Sequence, residues 1–179
     1  MTVDDYALAT KLRGAIRDVP DYPKPGIIFK DITPLLGDSK LFGRACDAMA
    51  DGFKALRVSH VIAIESRGFI FGGVVADKLG AGLVPVRKVG KLPFKTERVE
   101  YALEYGSDSL EMHIDALGVG SRALIVDDVL ATGGTAAATI RLARRLGADV
   151  VGCSFLIRLG FLPGLSAIGD VRTESVIVY

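Results

Sequence analysis

The sequence predicts an α/β fold in which a mostly parallel, twisted sheet is flanked by helices. Short apolar runs rich in Val, Ile and Leu alternate along the chain with segments of helical period, which is the pattern of successive βα units. Of the 179 residues, 50% are hydrophobic and 24% are charged, a balance typical of a globular chain with a substantial core. We therefore expect residues 1–179 to form a single domain.

Four apolar runs are the candidate strands of this sheet: residues 61–65, 83–87, 123–128 and 150–157. Two helices are also predicted. In residues 42–56, apolar side chains recur at spacings of three and four after a candidate cap at Asp38 or Ser39. The second helix covers residues 135–146, opens beside a glycine pair and ends at Gly147, a residue type favoured just beyond a helix.

Two segments break the alternation. Residues 21–38, DYPKPGIIFKDITPLLGD, carry three prolines that forbid a continuous helix and set rigid turns, so we expect a shaped hood over about residues 20–38. Residues 88–109 combine charges, glycines, a proline and the tyrosines Tyr101 and Tyr105. Because long loops in compact domains are usually functional or disordered, we expect a long loop or a mobile hairpin that works as a lid.

Charge and hydropathy exclude several classes of protein. The formal net charge is only +1, which gives no reason to expect a nucleic acid or an anionic membrane as partner. The longest apolar stretch, residues 150–157, is much shorter than the roughly 20 residues of a membrane-spanning helix, and we see no export signal. Cys46 and Cys153 have no ligand-like spacing, which favours buried free thiols and a cytoplasmic location.

Residues 126–135, VDDVLATGGT, carry the strongest chemical signal. Asp127 and Asp128 come at the carboxyl end of a buried strand, where open α/β sheets bind ligands. Two adjacent carboxylates are costly to bury, and a hydroxylated or cationic ligand explains them better than packing does. The next small residues let backbone N–H groups approach an anion at a helix N-terminus. They are Ala131, Thr132, Gly133, Gly134 and Thr135. The segment predicts a cradle for a phosphorylated ribose.

Other interpretations of these glycines are weaker. A strand, a capped turn and a helix without any ligand is the structural alternative, since acidic caps and Gly-Gly turns are common. A Walker phosphate loop is excluded because no Gly-Lys-Ser/Thr follows. Gly118, Gly120 and Ala123 have the spacing of a dinucleotide fingerprint but precede their strand, so we attribute the match to chance. A phosphoacceptor receiver domain would need more chain after Asp128.

Residues 126–135 resemble the phosphoribosyl pyrophosphate (PRPP) motif of the type I phosphoribosyltransferases. Four further segments resemble those of the adenine-using members of that family: DYPKPGIIFKDITPLL, ESRGFIFG, RKVGKLP and YALEYGSDSLEMH. The similarity therefore covers most of the chain. It implies the type I phosphoribosyltransferase fold and a purine-salvage reaction, in which adenine displaces pyrophosphate from PRPP to give AMP.

This reaction assigns roles to the polar residues. Asp127 and Asp128 would accept hydrogen bonds from the ribose hydroxyls, while residues 131–135 would anchor the ribose phosphate. The leaving pyrophosphate gains charge and needs cations, for which the candidates are Mg²⁺ and the side chains of Arg67, Arg87, Lys88 and Lys91. We expect the substrate to hold Mg²⁺ without a direct protein ligand. For Arg87, Lys88 and Lys91, a solvated loop face is the alternative.

Glu104, in the sequence LEYG, is the candidate general base, because the purine must lose a proton as it attacks. Its neighbours Tyr101 and Tyr105 suit a lid that excludes water from the reaction. The alternative is that Glu104 is an ordinary exposed acid of the loop.

The remaining expectations concern the base and the assembly. The resemblance implies that Phe29 stacks on adenine while backbone groups of Ile28 and Lys30 hydrogen-bond to it, although on the sequence alone Phe29 suits the core equally well. It also implies a homodimer in which Arg87 reaches the neighbouring site.

Two alternative functions would also use a PRPP-binding site. One is transfer to guanine, hypoxanthine or xanthine. The other is a regulator that binds PRPP without turning it over. A regulator would usually need an added nucleic-acid-binding element, and neither a helix-turn-helix segment nor a concentrated basic face is evident in the sequence.

Overall fold

The computed structural model describes residues 3–102 and 107–179. These residues group into two compact units, the first ending at Ala48 and the second beginning at Met49. Glu104 and Tyr105 lie outside the described residues, so their predicted roles stay predictions.

The first unit consists of short elements. In chain order they are α1 (Val3–Gly14), β1 (Arg17–Pro20), β2 (Ile28–Asp31), α2 (Thr33–Gly37) and most of α3 (Ser39–Asp51). β1 and β2 pair in an antiparallel sheet in which Val19 lies opposite Phe29. Asp31 Oδ1 accepts hydrogen bonds from the backbone N–H and the hydroxyl of Thr33, at 2.9 and 2.6 Å, and so satisfies donors at the start of α2. The proline-rich segment 21–38 thus contains a strand and a short helix.

A seven-stranded sheet forms the second unit, with the strand order β5-β6-β4-β3-β7-β8-β9. The strands are β3 (His60–Ile64), β4 (Gly82–Lys88), β5 (Thr96–Ala102), β6 (Ser107–His113), β7 (Arg122–Leu130), β8 (Asp149–Arg158) and β9 (Thr173–Val178). The helices are a 3₁₀ turn (Lys54–Leu56), α4 (Gly68–Leu79), α5 (Gly134–Arg145) and α6 (Gly164–Ile168). β4, β3, β7, β8 and β9 are parallel, while β5 and β6 pair antiparallel at one edge. The predicted mostly parallel α/β fold is confirmed.

The predicted elements are present, with shifted ends. Each of the four predicted strands corresponds to an observed one, β3, β4, β7 or β8. The helix expected over residues 42–56 is too long, because α3 ends at Asp51 and a separate 3₁₀ turn follows. Gly52 follows α3 directly, and the carboxylate of Glu174 on β9 lies beside it.

The segment 88–109 contains most of an antiparallel hairpin. Thr96 on β5 lies opposite His113 on β6, and Ala102 lies opposite Ser107 at the other end. The hairpin joins the sheet through β6, which pairs with the end of β4 at Arg87 and Lys88. The charged end of β4 is therefore tied to the segment that was expected to act as a lid.

Both cysteines are free and buried, as predicted. Burial raises the pKa of the Cys153 thiol to about 12, so at neutral pH this group is a neutral part of the core. None of the described helices is long and apolar enough to cross a membrane.

Candidate active site

Asp127 and Asp128 lie in the part of β7 that extends past the end of its pairing with β3. Residues 123–126 of β7 are fully buried and pair with β3, and that pairing ends at Val126. β7 then continues beside β8 to Leu130, two residues beyond the strand end predicted at Asp128. The two carboxylates are therefore at the carboxyl edge of the parallel sheet, where the sequence predicted them.

Asp128 is almost completely buried, at 4% exposure, and faces Arg67. Arg67 Nε lies 2.7 Å from Asp128 Oδ2, a contact between opposite charges that lacks hydrogen-bond alignment. Burial raises the pKa of Asp128, and the positive charge of Arg67 opposes this rise. One of the four predicted phosphate-binding cations is thus held against a predicted ribose-binding carboxylate.

Asp127 is partly exposed, and its Oδ1 accepts a hydrogen bond from the backbone N–H of Asp128 at 2.9 Å. Desolvation by the surrounding protein, followed by repulsion from Asp128, raises the pKa of Asp127 well above its ordinary value. Adjacent carboxylates held at such a cost are typical of functional sites.

The loop after β7 is the segment predicted to cradle a phosphate, and that role stays a prediction. Gly133 has a φ of +82°, which favours glycine, and a Cβ added there would lie 2.5 Å from Gly164 O. Gly134 begins α5, whose first N–H groups have no acceptor within the helix. The loop borders an open pocket of about 80 Å³, several times the roughly 10–15 Å³ that one water molecule needs. It is lined by Asp127, Val129, Leu130, Ala131, Thr132, Gly133, Thr135, Ala136 and Phe155.

Gly68, the first residue of α4, packs directly against the carboxylate strand. A Cβ at Gly68 would lie 2.8 Å from Asp127 Oδ1 and 3.0 Å from the backbone oxygen of Val126. Only a glycine lets the start of α4 approach β7 so closely, and this approach brings Arg67, the preceding residue, to Asp128.

Glu65, the residue after β3, contacts the cationic residues at the end of β4 and just beyond it. Its Oε2 accepts hydrogen bonds from the backbone N–H of Lys88 at 2.9 Å and from Arg87 Nε at 3.4 Å, and its Oε1 contacts Lys91 Nζ. Partial burial pushes the pKa of Glu65 upward, but the hydrogen bonds from Lys91 and Lys88 and the charge of Arg87 outweigh burial and lower this pKa. Arg87 and Lys91 are thus brought together at one carboxylate.

The side chain of Lys88, the third cation at the end of β4, contacts Asp108 and not Glu65. Its Nζ lies 3.1 Å from Asp108 Oδ2, and the hydroxyl of Tyr101 donates to the same oxygen at 3.4 Å. The hydroxyl of Thr135, in the cradle, donates to the Tyr101 oxygen at 3.5 Å. Tyr101 is only 8% exposed and lies next to the last residue pair of β5 and β6, where its hydroxyl contacts Thr135.

The residues expected to bind the base lie in the first unit. β2 includes Ile28, which is 56% exposed, together with Phe29 and Lys30, which are partly exposed. The ring of Phe29 contacts Tyr22 edge to face at 5.2 Å between centroids, and Lys30 Nζ lies 2.6 Å from Asp18 Oδ1. Phe29 is therefore not a fully buried core residue, while the base-binding role of all three residues stays a prediction.

Sequence reasoning missed Glu65 as a site residue, although a usable signal was present. Glu65 is the last residue of one predicted parallel strand, as Asp128 is of another, and the carboxyl ends of parallel strands meet at the same edge of a sheet. Its partners Lys88 and Lys91 are 23 and 26 residues away, so local spacing gave no indication of the contact.

The fold and the site define an α/β protein in which paired carboxylates, a glycine loop and a helix N-terminus follow one another at the carboxyl edge of a parallel sheet. Residues 41–175 match the model of the phosphoribosyl transferase domain. The chain belongs to this family, which confirms the sequence-based assignment.

Comparison with known proteins identifies similar chains over almost the full length. Adenine phosphoribosyltransferase from Myxococcus xanthus is 51% identical over 178 residues, which cover 99% of this chain and 97% of the relative. The crystal structure of adenine phosphoribosyltransferase from Rhodothermus marinus matches with a TM-score of 0.93 and 52% identity, covering 97% of this chain and 99% of that one. The Saccharomyces cerevisiae enzyme, crystallised with an imino-altritol bisphosphate and adenine, matches with a TM-score of 0.90 and 37% identity, covering 96% and 99% of the two chains.

Proposed function

We propose that this protein transfers the phosphoribosyl group of PRPP to adenine, which yields AMP and pyrophosphate for purine salvage. One observation carries the proposal: Asp127 and Asp128 lie directly before a glycine loop and a helix N-terminus, at the carboxyl edge of the sheet. This short segment offers acceptors for sugar hydroxyls and N–H donors for a phosphate. The names of relatives that cover nearly the whole chain support adenine as the acceptor base.

The ribose would be held by the carboxylates of Asp127 and Asp128. Hydrogen bonds donated by the ribose hydroxyls stabilise the ionised form of a carboxylate, which offsets the burial that raises both pKa values. The phosphate of the ribose would occupy the pocket lined by Thr132, Gly133 and Thr135. The same segment thus fixes the two ends of the sugar phosphate and positions the anomeric carbon.

The leaving pyrophosphate would be received by Arg67, Arg87, Lys88 and Lys91. In the structure their partly exposed side chains face carboxylates: Asp128 for Arg67, Asp108 for Lys88 and Glu65 for the other two. Pyrophosphate carries more charge than any of these carboxylates and can replace them as counter-ion. Because the cations are already in place, little reorganisation is needed when charge develops on the leaving group.

Adenine would lie against Phe29, with Ile28 and Lys30 contributing backbone hydrogen bonds. The partial exposure of Phe29 is compatible with stacking on a base. Glu104 would accept the proton that the purine loses as its ring nitrogen attacks, and Tyr101 and Tyr105 would help to exclude water.

Mg²⁺ would arrive with the substrate. The described residues contain no group of three or more His, Cys, Asp or Glu side chains that could hold a metal ion. The carboxylates present, Asp127 and Asp128, instead suit sugar hydroxyls, which leaves the oxygen-rich PRPP as the main ligand of a hard cation. Bound to PRPP, Mg²⁺ supplies neutralising charge for the departing pyrophosphate.

The proposal includes a cytoplasmic homodimer in which Arg87 contributes to the neighbouring site. Two buried free thiols support a reducing compartment. Exposed apolar side chains on α4 and at the two ends of β4 are compatible with an interface: Ile70 is 41%, Leu83 is 48% and Val89 is 42% exposed.

The enzyme and the regulator are distinguished by product formation. The protein is incubated with PRPP and Mg²⁺, with and without adenine, and AMP and pyrophosphate are quantified separately. We expect equimolar AMP and pyrophosphate only when adenine is present. Saturable PRPP binding without release of pyrophosphate would instead identify a PRPP-sensing protein.

A further inference from the structure

Glu111 is a buried carboxylate to which the proposed reaction gives no role. It lies in the middle of β6, opposite Arg87 on β4 and Arg98 on β5, and is only 5% exposed. Carboxylates are rarely buried to this extent without hydrogen-bond donors that compensate for lost water. The groups that donate hydrogen bonds to Glu111 therefore indicate the structural role of its carboxylate.

The donors come from the turn that follows β4. Glu111 Oε1 accepts hydrogen bonds from the backbone N–H groups of Gly90, Lys91 and Leu92, at 3.0, 3.2 and 3.1 Å. Glu111 Oε2 accepts one from the hydroxyl of Thr96 at 3.3 Å. Three successive N–H groups can converge on one oxygen only in a sharply curved turn, and the φ of +84° at Gly90 supplies the curvature.

The same turn carries Lys91, and the Arg87 side chain, also assigned to pyrophosphate, donates from Nη1 to the backbone oxygen of Lys91 at 3.1 Å. Glu111 holds its backbone on one side, while Glu65 contacts the side chains of Arg87 and Lys91. Without an internal anion, three backbone donors would be left to water and the turn could adopt many conformations. An ordered turn presents Lys91 at no further entropic cost when the ligand binds.

We propose that Glu111 is a positioning residue for the pyrophosphate half of the reaction: its carboxylate fixes the turn at residues 90–92 and thereby places Lys91 and Arg87 for PRPP. This proposal rests on the proposed function, which assigns those two cations to the pyrophosphate group. Glu111 itself does not touch the substrate.

The test compares Glu111→Ala and Glu111→Gln with Glu97→Gln. Glu97 lies on the neighbouring strand β5, is 38% exposed and pairs with Arg145 at 3.1 Å, so its variant removes a hairpin carboxylate that does not contact the turn. Steady-state kinetics with PRPP and with adenine, together with thermal unfolding, are measured for each protein. Lys91→Ala serves as a reference for direct loss of a cation.

We expect Glu111→Ala to lower kcat/KM for PRPP by about 10- to 100-fold, the scale of a misplaced binding group, mainly through a higher KM for PRPP, while the KM for adenine changes little. Glu111→Gln keeps an acceptor oxygen without its charge, so the KM for PRPP should rise only by about two- to fivefold. Glu97→Gln should match the wild type. If Glu111→Ala does not fold, Glu111→Gln against Glu97→Gln decides the question.

Three results would overturn the proposal. They are an unchanged KM for PRPP in both Glu111 variants, an equal rise in Glu97→Gln, or a fall in kcat and melting temperature with no selective effect on PRPP. Lys91→Ala distinguishes an error in the assignment of the cations from an error in the role of Glu111. If it leaves PRPP binding unchanged, the assignment of the cations fails; if it weakens binding and the Glu111 variants do not, only the role of Glu111 fails.

Discussion

Asp127 has a raised pKa because protein surrounds it and because Asp128 lies beside it. A carboxyl group with a folded-state pKa above its unfolded value binds its proton more tightly in the folded protein. Its contribution to stability is therefore fully present below the unfolded pKa and is lost as pH rises through the folded pKa. At neutral pH, above the unfolded pKa, this contribution is reduced, so Asp127 lowers the stability of the ligand-free protein.

The variant Asp127→Asn should accordingly be more stable than the wild type without ligand. Each kcal/mol corresponds to about 2–4 °C in Tm for a chain of this size, and the gain should shrink as pH falls. The rise in Tm that PRPP produces in the wild type should be lost in the variant. Thermal unfolding between pH 5 and pH 8, with and without PRPP, measures both effects. Lower stability of the Asp127→Asn protein at neutral pH would contradict the assigned cost of burial.

Glu104 is tested by separating chemistry from binding. Glu104→Gln should lower turnover by about 10²–10⁴, the typical effect of removing a general base, and should leave the Kd for PRPP unchanged. Glu100→Gln, which removes the carboxylate four residues earlier in the sequence, is the control and should retain activity. Steady-state rates and equilibrium PRPP binding are the measurements, and near-normal turnover in Glu104→Gln would refute the assignment.

The start of α4 is the element on which the site geometry depends. Gly68→Ala places a Cβ 2.8 Å from Asp127 Oδ1 and 3.0 Å from a backbone oxygen, so α4 and β7 must separate. We expect overpacking that destabilises the protein by about 1–3 kcal/mol, together with weakened PRPP binding.

Gly73, one turn further along α4, is the matched control. A Cβ there meets nothing within 4 Å, so Gly73→Ala should stabilise the helix by about 0.5–1 kcal/mol with unchanged kinetics. Chemical denaturation and PRPP titration of both variants test the pair. Equal effects at the two positions would show that close packing at Gly68 is unimportant for the site.

The elements differ in how far the sequence could predict them. β7 and β8 are predictable because each is a long apolar run. The phosphate-binding role was predicted from the small residues that follow β7. Helix α4 was missed because Gly72 and Gly73 weaken its helical signal, yet Gly72 is needed where a Cβ would collide with the Cβ of Ala63. The roles of Glu65 and Glu111 depend on partners at least 15 residues away, which only the folded chain brings together.

At the level of the whole molecule, the proposed exchange of Arg87 between subunits has a direct test. Arg87→Ala and Glu104→Gln proteins are each expected to be nearly inactive. In a mixed dimer, a site using Glu104 of one subunit and Arg87 of the other is intact only if Arg87 acts in trans. We expect activity to return on subunit exchange, toward half of the wild-type rate per mixed dimer. No recovery in verified mixed dimers would place Arg87 in its own subunit's site.

The central claim, that the cradle and the rest of the chain form an adenine phosphoribosyltransferase site, is tested most directly by a panel of purines. The protein is given PRPP and Mg²⁺ with adenine, guanine, hypoxanthine or xanthine, and nucleotide and pyrophosphate are measured for each base. We predict AMP and an equal amount of pyrophosphate with adenine, and no comparable product with the other three. A nucleotide formed preferentially from another base, or no pyrophosphate with any of them, would contradict the account.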